Sequence, residues 1–159
     1  GNPLMGDDGV GCYVISELQG EDWPDGVVVL DAGTSAITCL DEICRSTFLI
    51  AIDAVQAGGQ PGSVYRLTVD EGSAGAPGPG DAHGIPLTTV VALARTLTGL
   101  PLEVVIIGIE PEHVGPGLDL SDPVRQAVAV ATKRIREEVE LRSGFPESCR
   151  AAPGEEGAD

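Results

Sequence analysis

Aromatic side chains are scarce in this chain of 159 residues, at 3% of the total. An aliphatic core of Val, Ile, Leu and Ala is therefore expected, which argues against an aromatic platform for stacking nucleic acid bases. Basic side chains are also few, since 9 Lys and Arg stand against 25 Asp and Glu, for a formal net charge of -16. Because this charge repels polyanions, we expect neither a nucleic acid partner nor a membrane partner.

Several familiar patterns are absent from the sequence. There is no apolar run of bilayer length, no signal-peptide pattern, no Cys-x-x-Cys pair and no His-Glu-x-x-His zinc motif. The 4 cysteines are expected to be free thiols, as in a cytoplasmic protein. We predict a monomer with a single domain over residues 1–142, followed by a disordered tail over residues 143–159.

A glycine-rich corner opens the chain, with the sequence GNPLMGDDGVG over residues 1–11. Such a corner ahead of a helix normally binds an anion, because its free N–H groups and the helix dipole favour negative charge. Here Asp7 and Asp8 would repel a phosphate, and a metal ion or a cationic ligand suits them better. The corner therefore argues against a flavodoxin-like nucleotide or flavin binder.

Helical and strand patterns alternate along the chain, which predicts an α/β fold. We expect a three-layer sandwich with a mostly parallel, twisted sheet and helices on both faces. A Gly- and Pro-rich loop is expected over residues 70–82. The predicted helices span residues 10–18, 35–44, 87–97 and 122–142, and the predicted strands span residues 27–30, 48–52, 63–69 and 102–109.

Acidic residues follow two of the predicted strands. Asp31 and Asp53 each stand at a strand's carboxyl end, where ligands bind in parallel α/β sheets. We hypothesise that Asp8, Asp53 and His83 form a metal site, because carboxylate and imidazole ligands suit nickel and zinc. Each also has an ordinary structural interpretation: a helix N-cap for Asp8, a strand-end turn for Asp53 and a solvated loop histidine for His83.

Five segments, in order, resemble those of the nickel-hydrogenase maturation proteases, over residues 1–140. Those endopeptidases remove a C-terminal extension from the hydrogenase large subunit after nickel insertion. The opening corner is similar to the family pattern G-N-x-L-x-x-D-[DE]-G-x-G. The other segments are DAGT at 31–34, Asp53-Ala54 with GQPG at 59–62, GIEPE at 108–112 and LSDPV at 120–124.

The resemblance implies an aspartyl-type endopeptidase whose partner is the hydrogenase large-subunit precursor. It also implies no intrinsic cofactor, because the nickel is supplied by the substrate, although other divalent metals would suit the same ligands. Asp31 or Asp53 is a candidate general base. The resemblance implies that Asp8, Asp53 and His83 are the catalytic and metal-contacting residues, and that Asn2, Asp31, Gly33 and Thr34 bind substrate.

The chain departs from the family pattern in two places. The segment DAHGIPL around His83 differs from the family's S-x-H-x-x-G-L, and the family has an apolar strand ahead of the opening corner, so the first strand is apparently missing here. The other histidine, His113, is expected at the surface. An alternative function is a metal-sensing chaperone or scaffold that holds the precursor without cleaving it, since the same ligands would serve both.

Overall fold

The computed structural model describes residues 1–69 and 85–143. It confirms the predicted alternation of helices and strands over most of the chain. The predicted helix at 35–44 is divided into a short 3-10 segment followed by one and a half turns of α-helix. The helices are α1 (Val10–Leu18), α2 (Leu40–Arg45), α3 (Leu87–Thr98) and α4 (Asp122–Ser143), with 3-10 turns at Asp7–Gly9 and Ala36–Cys39, and the strands are β1 (Phe48–Ala54), β2 (Val64–Thr68) and β3 (Glu103–Ile109).

The three strands form one mixed sheet in the order β1-β3-β2. β1 is parallel to β3, with Asp53 opposite Gly108, and β2 is antiparallel to β3, with Val64 opposite Ile109. The α/β class is confirmed, with an antiparallel strand at one edge. This register places Asp53 at the carboxyl end of a parallel pair, where the sequence analysis expected it.

Helices cover both faces of the sheet, as a three-layer arrangement requires. Successive side chains of a strand point to opposite faces, so Val105, Ile107 and Ile109 pack with α1 and α4 in one buried cluster. On the other face, α2 and α3 pack together and contact Leu49 of β1. The aliphatic character of both clusters agrees with the low aromatic content.

The predicted strand at 27–30 is wrong. Val28 is 69% exposed, and the segment forms no ladder with any described strand. A strand needs a neighbour's N–H and C=O groups, and within the described residues β1 pairs only with β3. A cavity of about 810 Å³ is lined by Val27 and Val29 together with Ile50 and Ile52 of β1.

Some predictions concern residues that the structure does not describe. The loop at 70–82, His83 and residues 144–159 of the predicted tail all lie outside the described ranges. Of the helices found in residues 1–69 and 85–143, none has both the length and the apolar character needed to cross a membrane.

Candidate active site

Asp8 lies in a tight 3-10 turn that leads directly into α1. Gly6 starts this turn with φ +62°, and a Cβ there would lie 3.3 Å from the His113 carbonyl oxygen, so glycine fits both the backbone and the space. The Asp8 carboxylate accepts a hydrogen bond from the Asn2 backbone N–H at 2.7 Å. No side-chain cap hydrogen bond is found at the start of this turn or of α1, so the N-cap interpretation of Asp8 is wrong.

Asp53 meets the same stretch of backbone from the end of β1. Its Oδ1 lies 3.5 Å from the Gly1 amino nitrogen and accepts a hydrogen bond from the Ala54 N–H at 3.0 Å. A Cβ on Gly1 would lie 1.8 Å from the Asp8 carbonyl oxygen and 3.3 Å from Asp53 Oδ1. The turn carrying Asp8 and the end of β1 are therefore brought together around Gly1 and Asn2.

The surroundings of Asp53 change its acidity. Burial raises the pKa of its carboxyl, and the nearby Asp8 charge adds to this, against the opposing effect of the Ala54 N–H. A carboxylate with a raised pKa takes up a proton more readily, which is what a general base needs. Both the position and the acidity of Asp53 suit chemistry at this edge of the sheet.

The loop after residue 30 supplies the remaining predicted residues. Asp31 Oδ1 accepts a hydrogen bond from the Gly33 N–H at 2.8 Å, and the Gly33 carbonyl accepts one from the Gly1 nitrogen at 3.2 Å. Of the predicted residues, Asn2, Asp8, Asp31, Gly33, Thr34 and Asp53 all line the cavity beside β1. The structure therefore places these residues along one cavity, and His83 lies outside the described ranges.

Cys12 also belongs to this cavity, which the sequence analysis did not anticipate. Its Sγ lies 3.8 Å from Asp31 Oδ1, and both burial and the Asp31 charge raise the pKa of the thiol. A protonated thiol is a poor nucleophile, so Cys12 does not offer an activated thiolate. No local pattern indicated the contact, because it joins α1 to a separate loop.

Asp7 has surroundings quite unlike those of its neighbour Asp8. Its carboxylate accepts hydrogen bonds from the backbone N–H groups of Glu112, His113 and Ser121 and from the Ser121 hydroxyl. Burial acts to raise the pKa of Asp7, but these hydrogen bonds outweigh it and the net pKa is lowered. Of the two acids in the opening corner, only Asp8 lines the cavity.

Within the part of the chain that the structure describes, no three His, Cys, Asp or Glu side chains are arranged to hold a metal ion. Asp8 and Asp53 are close enough for the Asp8 charge to affect the Asp53 carboxyl, and the third residue of the hypothesised set, His83, is not described. The arrangement can present two carboxylates to a positively charged or metal-bearing group that enters the cavity from outside.

Comparisons with known proteins identify the family of this chain. The model of a family described as hydrogenase maturation protease matches residues 12–138. A relative from Methanocaldococcus jannaschii, whose name refers to the same activity, is 35% identical over 148 residues, covering 87% of this chain and 92% of the relative. The hydrogenase 2 maturation protease of Escherichia coli is 27% identical over 137 residues, covering 85% of this chain and 84% of that protein.

A solved structure is also similar. The crystal structure of a hydrogenase 2 maturation peptidase from Thaumarchaeota archaeon SCGC_AB-539-E09 has a TM-score of 0.68 and 30% identity, covering 89% of this chain and 94% of that chain. The chain belongs to the hydrogenase maturation protease family. It is therefore a peptidase, a hydrolase of peptide bonds, and the family resemblance of its sequence segments is confirmed.

Proposed function

We propose that this protein removes the C-terminal extension of a hydrogenase large-subunit precursor and recognises the nickel already bound there. The observation that carries the proposal is the convergence of Asp8 and Asp53, which come from separate elements, on the backbone of Gly1 and Asn2. Family membership supports the reaction class, and the two neighbouring carboxylates support a cationic feature in the substrate.

The proposed chemistry needs a site for the substrate's nickel and a base for water. Asp8, Asp53 and His83 are the proposed nickel contacts, with nickel polarising the scissile carbonyl or the attacking water. Asp53 or Asp31 takes a proton from the water as the water oxygen bonds to the carbonyl carbon. The scissile C–N bond then breaks, and the same carboxyl group gives that proton to the released amine.

The partner in this proposal is an incompletely processed hydrogenase large subunit, and the metal enters and leaves with it. The protein then needs no resident metal of its own. The net charge of -16 favours a basic contact surface on the precursor. Asn2, Gly33 and Thr34 are proposed to contact the precursor near the scissile bond, because they line the same cavity as the two carboxylates.

The test is incubation with nickel-loaded and nickel-free precursor, read by intact mass. We expect a defined C-terminal loss from the loaded precursor alone, and Asp53→Asn and His83→Ala to reduce the rate by at least about 100-fold. His113→Ala and Asp22→Asn are matched controls, because both residues are exposed and neither lines the cavity. They should process the loaded precursor at the wild-type rate.

Two results would contradict the proposal. Processing of nickel-free precursor at the same rate would exclude recognition of the metal. A stable, nickel-dependent complex with no change in precursor mass would favour the alternative, a chaperone or scaffold that binds without cleaving.

A further inference from the structure

The segment between β3 and α4 forms a loop over residues 111–121, named here the rim loop, that packs against the opening corner of the chain. Four backbone hydrogen bonds join the two segments. The carbonyls of Leu4 and Met5 accept from the rim loop, and the N–H groups of Gly6 and Asp7 donate to it. The rim loop is therefore the direct support of the turn that carries Asp8.

The Asp7 carboxylate adds four further hydrogen bonds to this contact. Oδ2 accepts from the N–H groups of Glu112 and His113 at 2.9 and 3.0 Å and from the Ser121 hydroxyl at 2.9 Å. Oδ1 accepts from the Ser121 N–H at 2.7 Å. Asp7 is 1% exposed, so these bonds are shielded from water and each is strong.

We propose that Asp7 is a positioning residue, whose carboxylate fastens both ends of the rim loop to the turn that carries Asp8 and so holds the Asp8 carboxylate at the site. The donors lie near the start and at the end of the loop, and are separated from Asp7 by 105 to 114 residues along the chain. A single side chain thus closes the loop against the turn. This role rests on the proposed function, because it is exerted on peptide cleavage through Asp8.

Only a carboxylate satisfies this set of donors. Asparagine has one acceptor oxygen, and its NH2 group would face an N–H of Ser121 or the paired N–H groups of Glu112 and His113, donor against donor. An unsatisfied buried donor is costly, so the rim loop is expected to separate from the turn. A displacement of about 1 Å at a reacting group is enough to reduce a rate by about 100-fold.

The test compares Asp7→Asn with the wild type in two measurements. We expect kcat for processing of nickel-loaded precursor, per folded molecule, to fall about 10- to 100-fold. We also expect faster hydrogen exchange at the amides of Glu112, His113 and Ser121, with β3 and α4 remaining protected. Ser121→Ala removes one donor and keeps the carboxylate, so a smaller loss of kcat and a smaller change in exchange should result.

Glu138→Gln is the matched control for a purely structural role. Glu138 is also a buried, hydrogen-bonded carboxylate. Its partners are Arg66 and Arg142, which lie away from Asp8 and Asp53. Even if Glu138→Gln lowers the melting temperature as much as Asp7→Asn does, its kcat per folded molecule should stay within about twofold of the wild type. If Asp7→Asn does the same, the positioning role is wrong.

The remaining outcomes separate this proposal from the proposed function. Unchanged exchange in the rim loop of Asp7→Asn would overturn the proposal whatever the kinetics show. If the wild type does not cleave the loaded precursor, the proposed function fails and the positioning role fails with it. The hydrogen-exchange measurement then still tests the contact between Asp7 and the rim loop. If Asp7→Asn does not fold, Ser121→Ala decides, and wild-type kcat and exchange in that variant would overturn the proposal.

Discussion

Asp7 and Asp8 are adjacent in the chain, yet the structure gives their carboxylates separate roles. Asp8 accepts a hydrogen bond from Asn2 and lines the cavity, whereas Asp7 accepts four hydrogen bonds from the rim loop. The family pattern selected Asp8 over Asp7 for the site, but no local pattern could show what Asp7 contacts. Its donors are more than 100 residues away in sequence, so only the folded chain brings them together.

Glu110 is a second buried carboxylate that the sequence analysis did not single out as functional. It accepts hydrogen bonds from the N–H groups of Ala57, Gly58 and Gly59 at 2.9 to 3.2 Å and from the Tyr65 hydroxyl at 2.8 Å. Burial acts to raise the pKa of Glu110, but these hydrogen bonds outweigh it and lower the pKa. Glu110 thereby connects the end of β3 to the loop between β1 and β2.

Replacing Glu110 with glutamine should destabilise the protein. The amide has one acceptor and turns donors toward N–H groups, so we expect Glu110→Gln to lower the free energy of unfolding by about 1–3 kcal/mol. Urea denaturation measures this. Glu112→Gln is the control, because Glu112 is exposed. This change should alter the free energy of unfolding by less than about 0.5 kcal/mol. Equal losses in both variants would contradict the assigned role.

At the scale of whole elements, the helices were predicted better than the strands. α1 has the predicted bounds, because its apolar residues recur at helical spacing within one short segment. The segment at 27–30 has the composition of a buried strand, but a strand forms only where another strand offers partners. Composition indicates that a segment can be buried as a strand, but it does not show whether a neighbouring strand is available for hydrogen bonding. This is why the prediction was wrong.

The packing of α1 on β1 depends on one glycine. A Cβ on Gly11 would lie 2.9 Å from the Ile52 carbonyl oxygen, next to Asp53. Alanine would favour the helix by about 1 kcal/mol, but the contact is with backbone that cannot rotate away. The close approach should therefore outweigh the helix propensity.

We expect Gly11→Ala to lower the free energy of unfolding by about 1–3 kcal/mol, as overpacking does. Gly20→Ala is the matched control, because nothing lies within 4 Å of a Cβ at that position. Chemical denaturation of both variants provides the comparison. A stabilised Gly11→Ala would show that α1 can move away from β1 at little cost.

Across the whole molecule, 25 acidic side chains stand against 9 basic ones. Glu138 pairs with Arg66 of β2 and with Arg142 of its own helix. Arg142 also pairs with Glu103 and lies 3.7 Å above the Phe48 ring. Hydrogen bonding from Arg66 lowers the pKa of Glu138, against the opposing effect of burial, and Arg142 lowers it further. This network joins α4 to all three strands.

The lowered pKa makes part of the stability dependent on pH. The contribution of Glu138 is complete above its unfolded pKa of about 4.5 and is lost as the pH falls toward the lower folded value. The gap in melting temperature between wild type and Glu138→Gln should therefore stay constant from about pH 7 to about pH 4.5 and narrow at lower pH. Glu140→Gln, an exposed change on the same helix, should show no such trend. A gap that stays constant with pH would contradict the assignment.

The α/β class, the helix positions, the family and the placement of Asp8 and Asp53 at one edge of the sheet could all be predicted from the amino-acid sequence. These follow from short-range periodicity and from motifs whose residues are close in the chain. Three features became visible only in the folded chain: Asp7 accepts hydrogen bonds from the rim loop, Cys12 contacts Asp31, and residues 27–30 form no strand with the described residues. Each of these depends on backbone or side-chain partners from distant segments of the chain. Local sequence patterns cannot predict such partners.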